Sequence, residues 1–378
     1  MGCEPELLKK EAMPAATRKL DLPEGVPPLT SLYMYIAGSC NLTCRHCWIE
    51  PDYQADNNNG KFLKLEHLKK AIAEAKPLGL QSVKLTGGEP MLHPQFCEIV
   101  DYIESENIGM IMETNGTLID DKIARFLKSK PHFNFISVSV DGARAETHDK
   151  LRGVNGSFKN AVAGIKALAK AGFHPQIICT LHKGNVTELE DIIRMAVGWG
   201  CGSVKFNHIQ QSGRGEVFYS DNGLTVKELI LLFNKIEAKI KKKYPISIYF
   251  DIPQAFFPIK KLLNDSMNRC AIKNILGILS GGEMALCGIG VTVPELVCGN
   301  IGTDHIKNVW INHKFFMELR DQIPSSFTGI CGNCIFRDSC IGSCIANNYH
   351  QSGKLTSSYF FCEESNRLGI FPQNRINK

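Results

Sequence analysis

No apolar run in this sequence approaches the ~18 residues that would cross a bilayer. The first residues mix acid and base where a secretion signal would carry an apolar core. Position 6 is Glu6, where myristoylation after Gly2 asks for Ser or Thr, so Cys3 reads as an incidental free thiol. Excess charge is also scarce, a net +5 over 378 residues. The basic run Lys239, Lys241, Lys242 and Lys243 falls near the end of a predicted helix, where cations suit the helix dipole. Neither nucleic acid nor a membrane is implied, and the expected location is the cytoplasm. With 44% hydrophobic residues the chain can bury a core for two or three domains.

What the sequence has in excess is thiol. Fifteen cysteines are more than packing requires in a reduced compartment, and ten of them fall into two patterns suited to metal. The first is Cys40, Cys44 and Cys47, spaced C-x3-C-x2-C directly after a probable strand, Ser31 to Ala37. Three thiolates from one tight loop fill three irons of a [4Fe-4S] cube and leave the fourth open to another ligand. A zinc knuckle is the alternative, with His46 as a fourth ligand. Cys97, Cys179 and Cys201 lie in predicted helix or strand context and are expected to pack in the core.

This spacing is the signature of the radical S-adenosylmethionine (SAM) enzymes, and the chain resembles that family over nearly its whole length. The resemblance implies that the amine and carboxylate of SAM chelate the open iron and that an electron from the cluster splits SAM to a 5'-deoxyadenosyl radical. An aromatic residue packing beside SAM is usual at the position of His46.

From residue 81 onward short β-branched runs alternate with amphipathic stretches. The predicted strands are Ser31 to Ala37, Ser82 to Thr86, Gly109 to Glu113, Asn134 to Ser139, His174 to Leu181 and Ser203 to His208. Helices of crossover length lie between them, near Lys64 to Ala75, Pro94 to Ser105, Asp120 to Lys128, Ser157 to Ala171 and Val186 to Trp199. The expected fold is α/β, a partial (β/α)6 TIM-like barrel with functional groups at the C-terminal ends of its strands, followed by a cysteine-rich iron-sulfur domain. The expected division is an arm at 1–28, the barrel at 29–215, a bridge at 216–265 and the cysteine-rich domain at 266–378. Thr225 and Glu228 form a capping box opening a bridge helix that Pro245 ends. Glu50 to Gly60 is polar and reads as a mobile loop. The apolar run Ile252 to Leu263 suits a cleft wall or plain packing equally.

By the resemblance, Gly87, Gly88, Glu89 and Pro90 match the GGEP motif that holds the SAM amino group. Asn115 matches a position near SAM, Ser139 and Asp141 fall in the motif that usually contacts its ribose, and Arg152 matches the arginine that pairs with the SAM carboxylate. The second cysteine pattern is Cys270, Cys287, Cys331, Cys334, Cys340, Cys344 and Cys362. It resembles the seven-cysteine SPASM extension of enzymes that modify ribosomally made peptides, which implies three [4Fe-4S] clusters in all. Carried over, Cys331, Cys334, Cys340 and Cys362 close one auxiliary cluster. Cys270, Cys287 and Cys344 hold the other by three, with Cys298 a candidate fourth ligand.

The expected function is modification of a precursor peptide, with electrons from a flavodoxin or ferredoxin. The opening Ser31 to Ile36 and the run Cys44 to Ile49 are similar to the subfamily that excises tyramine from the backbone to leave an α-keto-β-amino acid. Thioether or carbon-carbon cross-linking and formylglycine formation are alternatives, and an iron-sulfur electron carrier is the non-enzymatic one. Gly288 stands where the formylglycine enzymes carry an aspartate base, and no catalytic base is named. Residues 1–28 are too few for a leader-binding winged helix, so a separate small recognition protein is expected.

Overall fold

In the computed structural model the structure describes residue 20 and residues 22–54, 60–264 and 270–377. Cys3, most of the arm and residues 55–59 of the polar loop lie outside the described residues. Eight parallel strands form the heart of the molecule. They are β1 (Ser31–Ala37), β2 (Ser82–Gly87), β3 (Gly109–Thr114), β4 (Phe133–Ser139), β5 (Gln176–Leu181), β6 (Ser203–His208), β7 (Ser247–Phe250) and β8 (Ile275–Ile278). An antiparallel pair, β9 (Glu283–Ala285) and β10 (Val297–Asn300), completes one sheet in the order β10-β9-β8-β1-β2-β3-β4-β5-β6-β7.

Crossovers are made by α1 (Leu65–Ala75), α2 (Phe96–Ser105), α3 (Asp121–Lys128), the pair α4 (Ala145–Arg152) and α5 (Ser157–Lys170), and α6 (Leu189–Gly198). The pair α7 (Arg214–Asn222) and α8 (Val226–Lys235) leads to β7. Local chemistry sets the helix starts. The Asp120 carboxylate accepts from Ile123 N at 2.7 Å to cap α3, and Thr225 with Glu228 closes the expected capping box on α8.

The alternation of strand side chains separates two environments. Val83, Leu85, Met110, Met112, Val138, Ile177, Val204 and Phe206 face the helices and are fully buried in the main core. Thr86, Glu113, Ser139, Thr180, Lys205 and Asn207 face a cavity inside the arc. The outer layer is packing and the inner face is polar, the division expected of a barrel whose chemistry is at its mouth.

The six expected strands are present, and the sheet runs further than the sequence reading allowed. Ser247–Phe250, inside the expected bridge, pairs parallel with β6, and Ile275–Ile278, from the expected iron-sulfur domain, pairs parallel with β1. The boundary at 265/266 therefore crosses one continuous sheet. Helices α4 and α7 were also missed, because both are short and polar and lack a wide apolar stripe. Cys179 is buried as expected, but Cys97 is exposed, on the solvent side of α2. No described helix is long and apolar enough to cross a membrane.

Candidate active site

The thiol loop leaves β1 and is clamped by loops from the neighbouring strands. Ser39–Cys40 forms a two-residue parallel ladder with Asp52–Tyr53. Thr43 N and Arg45 N donate to the carbonyls of Arg152 and Leu151 at 3.1 and 2.9 Å, and Arg214 Nε donates to Cys44 O at 2.8 Å. From β3, the Asn115 amide donates to Asn41 Oδ1 at 2.8 Å and reaches Cys40 Sγ at 3.8 Å. Cys44 and Cys47 raise the charging cost of the Cys40 thiol and Cys47 that of Cys44, so the three lie close together. They line a cavity of about 230 Å³.

The glycines after β2 make the close approach possible. A Cβ at Gly88 would lie 2.0 Å from Ser39 O, and one at Gly87, where φ is +144°, would lie 2.4 Å from Ala37 O. Only glycine lets this strand end pass against the thiol loop. Gly88 N and Glu89 N in turn donate to the Ala37 and Ser39 carbonyls at 2.7 and 2.9 Å.

Of the residues matched to SAM binding, Gly87, Gly88, Asn115, Ser139 and Arg152 line the cavity. Glu89, Pro90 and Asp141 form the layer behind them. The Glu89 carboxylate is fully buried and accepts from Thr114 Oγ1 at 2.7 Å, Asn115 N at 2.8 Å and Met91 N at 3.2 Å. Burial outweighs those bonds and lifts its pKa to about 7. Through these bonds it clasps the β2 and β3 loops together. Pro90 opens a 3₁₀ turn.

Asp141 is likewise fully buried. Its Oδ2 lies 2.6 Å from Arg152 Nη2 and 3.8 Å from His46 Nε2, and its Oδ1 accepts from Thr180 N at 2.7 Å. Burial opposes its ionisation, yet Arg152, His46 and His148 hold the carboxyl below the usual range. Arg152 thus has its guanidinium fixed by Asp141 and laid 3.6 Å from Cys44 Sγ, with Nε buried and unbonded. His46 also lines the cavity, and burial lowers its pKa to about 4, so the imidazole is neutral with Nδ1 unbonded.

These features fit a metal-cluster and SAM site. Burial pushes the Cys40 and Cys44 thiols up, so each thiolate needs a cation, which Arg152 supplies in part to Cys44 alone. Polar atoms of His46, Arg152 and Arg214 are buried without partners around the same space. Among the described residues no three Cys, His, Asp or Glu side chains converge closely enough for a single metal ion. The thiols surround a space instead.

The other thiols gather in two groups. Cys331, Cys334, Cys340 and Cys362 line one small apolar cavity with Pro253, Ala255 and Phe371, which places part of the run after Ile252 on a thiol pocket and not on the cavity at Cys40, Cys44 and Cys47. Cys270, Cys287 and Cys344 act on one another electrostatically, beside Lys84. Cys298 is the candidate fourth ligand of that second set. It is buried, donates to Leu296 O at 3.8 Å, and is pushed up to about 12 by burial alone. At Gly288 a Cβ would sit 2.3 Å from the ring and hydroxyl of Tyr35, which accepts from Gly288 N at 2.9 Å. Tyr35 occupies the space an aspartate would need.

The sequence reading missed Lys205, Asn207, His208, Gln210 and Arg214, all on this cavity. A signal was available: Lys205 and Asn207 alternate with apolar residues along a strand, where a barrel points them inward.

Three thiols thus stand at the mouth of a parallel barrel against a Gly-Gly strand end. Residues 34–196, which include the thiol loop and the Gly87-Gly88 strand end, match the model of the Radical SAM superfamily. The chain is 29% identical over 318 residues to the mycofactocin maturase MftC of Mycobacterium tuberculosis, covering 82% of this chain and 77% of that protein. It is 28% identical over 340 residues to the AdoMet-dependent heme synthase of Methanosarcina barkeri, covering 86% of this chain and 94% of that one. Its fold matches Streptococcus suis SuiB bound to the precursor peptide SuiA with a TM-score of 0.70 at 16% identity, over 89% of this chain and 76% of SuiB.

Proposed function

We propose that the chain modifies a ribosomally made precursor peptide by radical chemistry started in the cavity at Cys40, Cys44 and Cys47. The observation that carries this reading is the single cavity shared by those thiols, the Gly87-Gly88 strand end, Arg152 and the polar inner face of the barrel. The relative named as a maturase supports the peptide. The chemistry supplied by bound SAM and a reduced [4Fe-4S] cluster is a 5'-deoxyadenosyl radical. Cys40, Cys44 and Cys47 would hold the cluster. Gly87, Gly88, Asn115, Ser139 and Arg152 would hold SAM, with Arg152 kept in place by Asp141 and the loops kept in register by Glu89.

The sets Cys331/Cys334/Cys340/Cys362 and Cys270/Cys287/Cys344 would carry two auxiliary clusters and accept the electron released by an oxidised product. Tyr35 against Gly288 removes the room for the base of formylglycine chemistry. The particular reaction we favour is tyramine excision, from the resemblance in residues 31–49. A small recognition protein would present the peptide and a flavodoxin or ferredoxin would supply electrons.

A second reading, a tetrapyrrole substrate, is favoured by length: the match spans 94% of the heme synthase and 77% of the maturase. Anaerobic incubation of reconstituted enzyme with SAM, a reductant and, in separate reactions, a candidate precursor peptide and an iron coproporphyrin, followed by mass spectrometry, separates the two. A defined mass change in the peptide supports the first reading. An unchanged peptide with conversion of an iron coproporphyrin overturns it.

A further inference from the structure

The inner face of the barrel carries more positive charge than the chain neutralises. The cations on the cavity are Arg152, Lys205 and Arg214. Arg152 is paired with Asp141 and lies on Cys44 Sγ, and Arg214 is bonded to Cys44 O, so both serve the thiol loop. The acid on the cavity, Glu113, is consumed by Lys84 at 2.6 Å. The Lys205 ammonium has no ion-pair or hydrogen-bond partner among the described residues, its backbone alone being paired in the sheet.

The placement of Lys205 is unusual for an unpaired lysine. It sits in the middle strand of three, β5-β6-β7, flanked by Ile178 and Tyr249, and is only partly exposed. Its ammonium lines the cavity with no anion of the chain beside it, an arrangement that suits an anionic ligand. Two residues on, and on the same face, Asn207 lines the same cavity with its Oδ1 buried and lacking any donor. The cation and the orphaned acceptor are two separate vacancies in one wall.

We propose that Lys205 anchors a carboxylate of the substrate, with Asn207 accepting a hydrogen bond from a neighbouring donor group. The proposal rests on the cavity being the reaction site and holds for either substrate reading, since a peptide C-terminus, an acidic side chain and a porphyrin propionate all present this group. It makes Lys205 a positioning and specificity residue: substrates with a free carboxylate at the right distance from the reacting carbon are oriented, and their neutral analogues are not.

The test uses the reconstituted holoenzyme saturated with SAM, so that the carboxylate of SAM is already placed. Fluorine NMR titrations with 4-fluorophenylacetate and 4-fluorophenylacetamide compare a carboxylate with its uncharged counterpart. The expected result is binding of the acid about tenfold or more tighter than the amide. Lys205→Met abolishes the difference and Lys205→Arg keeps most of it, with the visible cluster absorption of both variants unchanged. Equal affinity of the two probes for the wild type overturns the proposal, and so does a preference that survives in Lys205→Met. Displacement of the bound acid by N-acetylglycine, by N-acetylglutamic acid α-amide or by a coproporphyrin supports the anchor and identifies the source. Failure of all three to displace it overturns the proposal. An unmodified precursor peptide in the mass-spectrometric experiment leaves this measurement standing.

Discussion

Replacing Arg152 by Met strips one partner from a pair whose charged atoms are 2.6 Å apart at 8% and 0% exposure. At a separation of about 4 Å between charge centres and an effective dielectric near 20, the attraction is about 4 kcal/mol. Removing one partner of a buried pair costs about 3–5 kcal/mol, mostly because the other charge is left stranded. Asp141 would not be wholly abandoned, since Thr180 N still donates to it and His46 lies 3.8 Å away. The low end, about 3 kcal/mol, is therefore expected. At about 2 °C per kcal/mol for a chain of this size, the melting temperature should fall about 6 °C. Adding Asp141→Asn to Arg152→Met removes the stranded charge and should recover about half of that loss, whereas Asp141→Asn alone should cost as much as Arg152→Met. SAM affinity, measured by anaerobic equilibrium dialysis, should fall about a hundredfold in both variants that lack Arg152. Additive melting shifts in the double variant, or unchanged SAM affinity in Arg152→Met, would refute the claim that Asp141 acts by holding Arg152 toward the cavity.

The remaining expectations concern the histidines, the thiols and the Tyr35 contact. Burial, then Arg152, lowers the His148 pKa to about 4 from 6.5, so its stability contribution is present above pH 6.5 and lost as pH falls toward 4. His148→Asn, which can still accept from Asp141 N, should flatten the acid limb of the pH–melting curve by about 2 kcal/mol. A limb as steep as that of the wild type would count against it. Iron analysis after anaerobic reconstitution should give about twelve irons per chain, about eight when Cys40, Cys44 and Cys47 are replaced by Ala, and no change in Cys298→Ser. About four in the wild type would remove the auxiliary assignment. Gly288→Asp should lower iron content because its Cβ would meet Tyr35 at 2.3 Å, and Tyr35→Ala should restore it in the double variant. Full iron content in Gly288→Asp alone would contradict the contact.

The sequence by itself determined the features that depend on near neighbours along the chain. The C-x3-C-x2-C loop, the Gly87-Gly88 strand end, the capping box at Thr225 and the two-residue alternation of six strands are local patterns with one conformational solution each. Which side chains reach the cavity was a tertiary matter. Glu89 and Asp141 stand in motifs that border the site, yet both face protein: Glu89 meets the donors of the β3 loop, and Asp141 meets an arginine eleven positions on that α4 swings toward it. Motif membership fixes a residue's neighbourhood, and the strand register fixes its direction. Lys205 and Arg214 gave no local signal strong enough to join them to thiols more than 150 residues away, because only the curling of the sheet brings β6 and α7 to the same space as the loop after β1. β7 and β8 escaped for a related reason. Four-residue strands carry too little pattern to be read alone, and it is the exposed edges of β6 and β1 that make extended chain there worth its lost entropy, by pairing backbone groups that would otherwise be left unbonded.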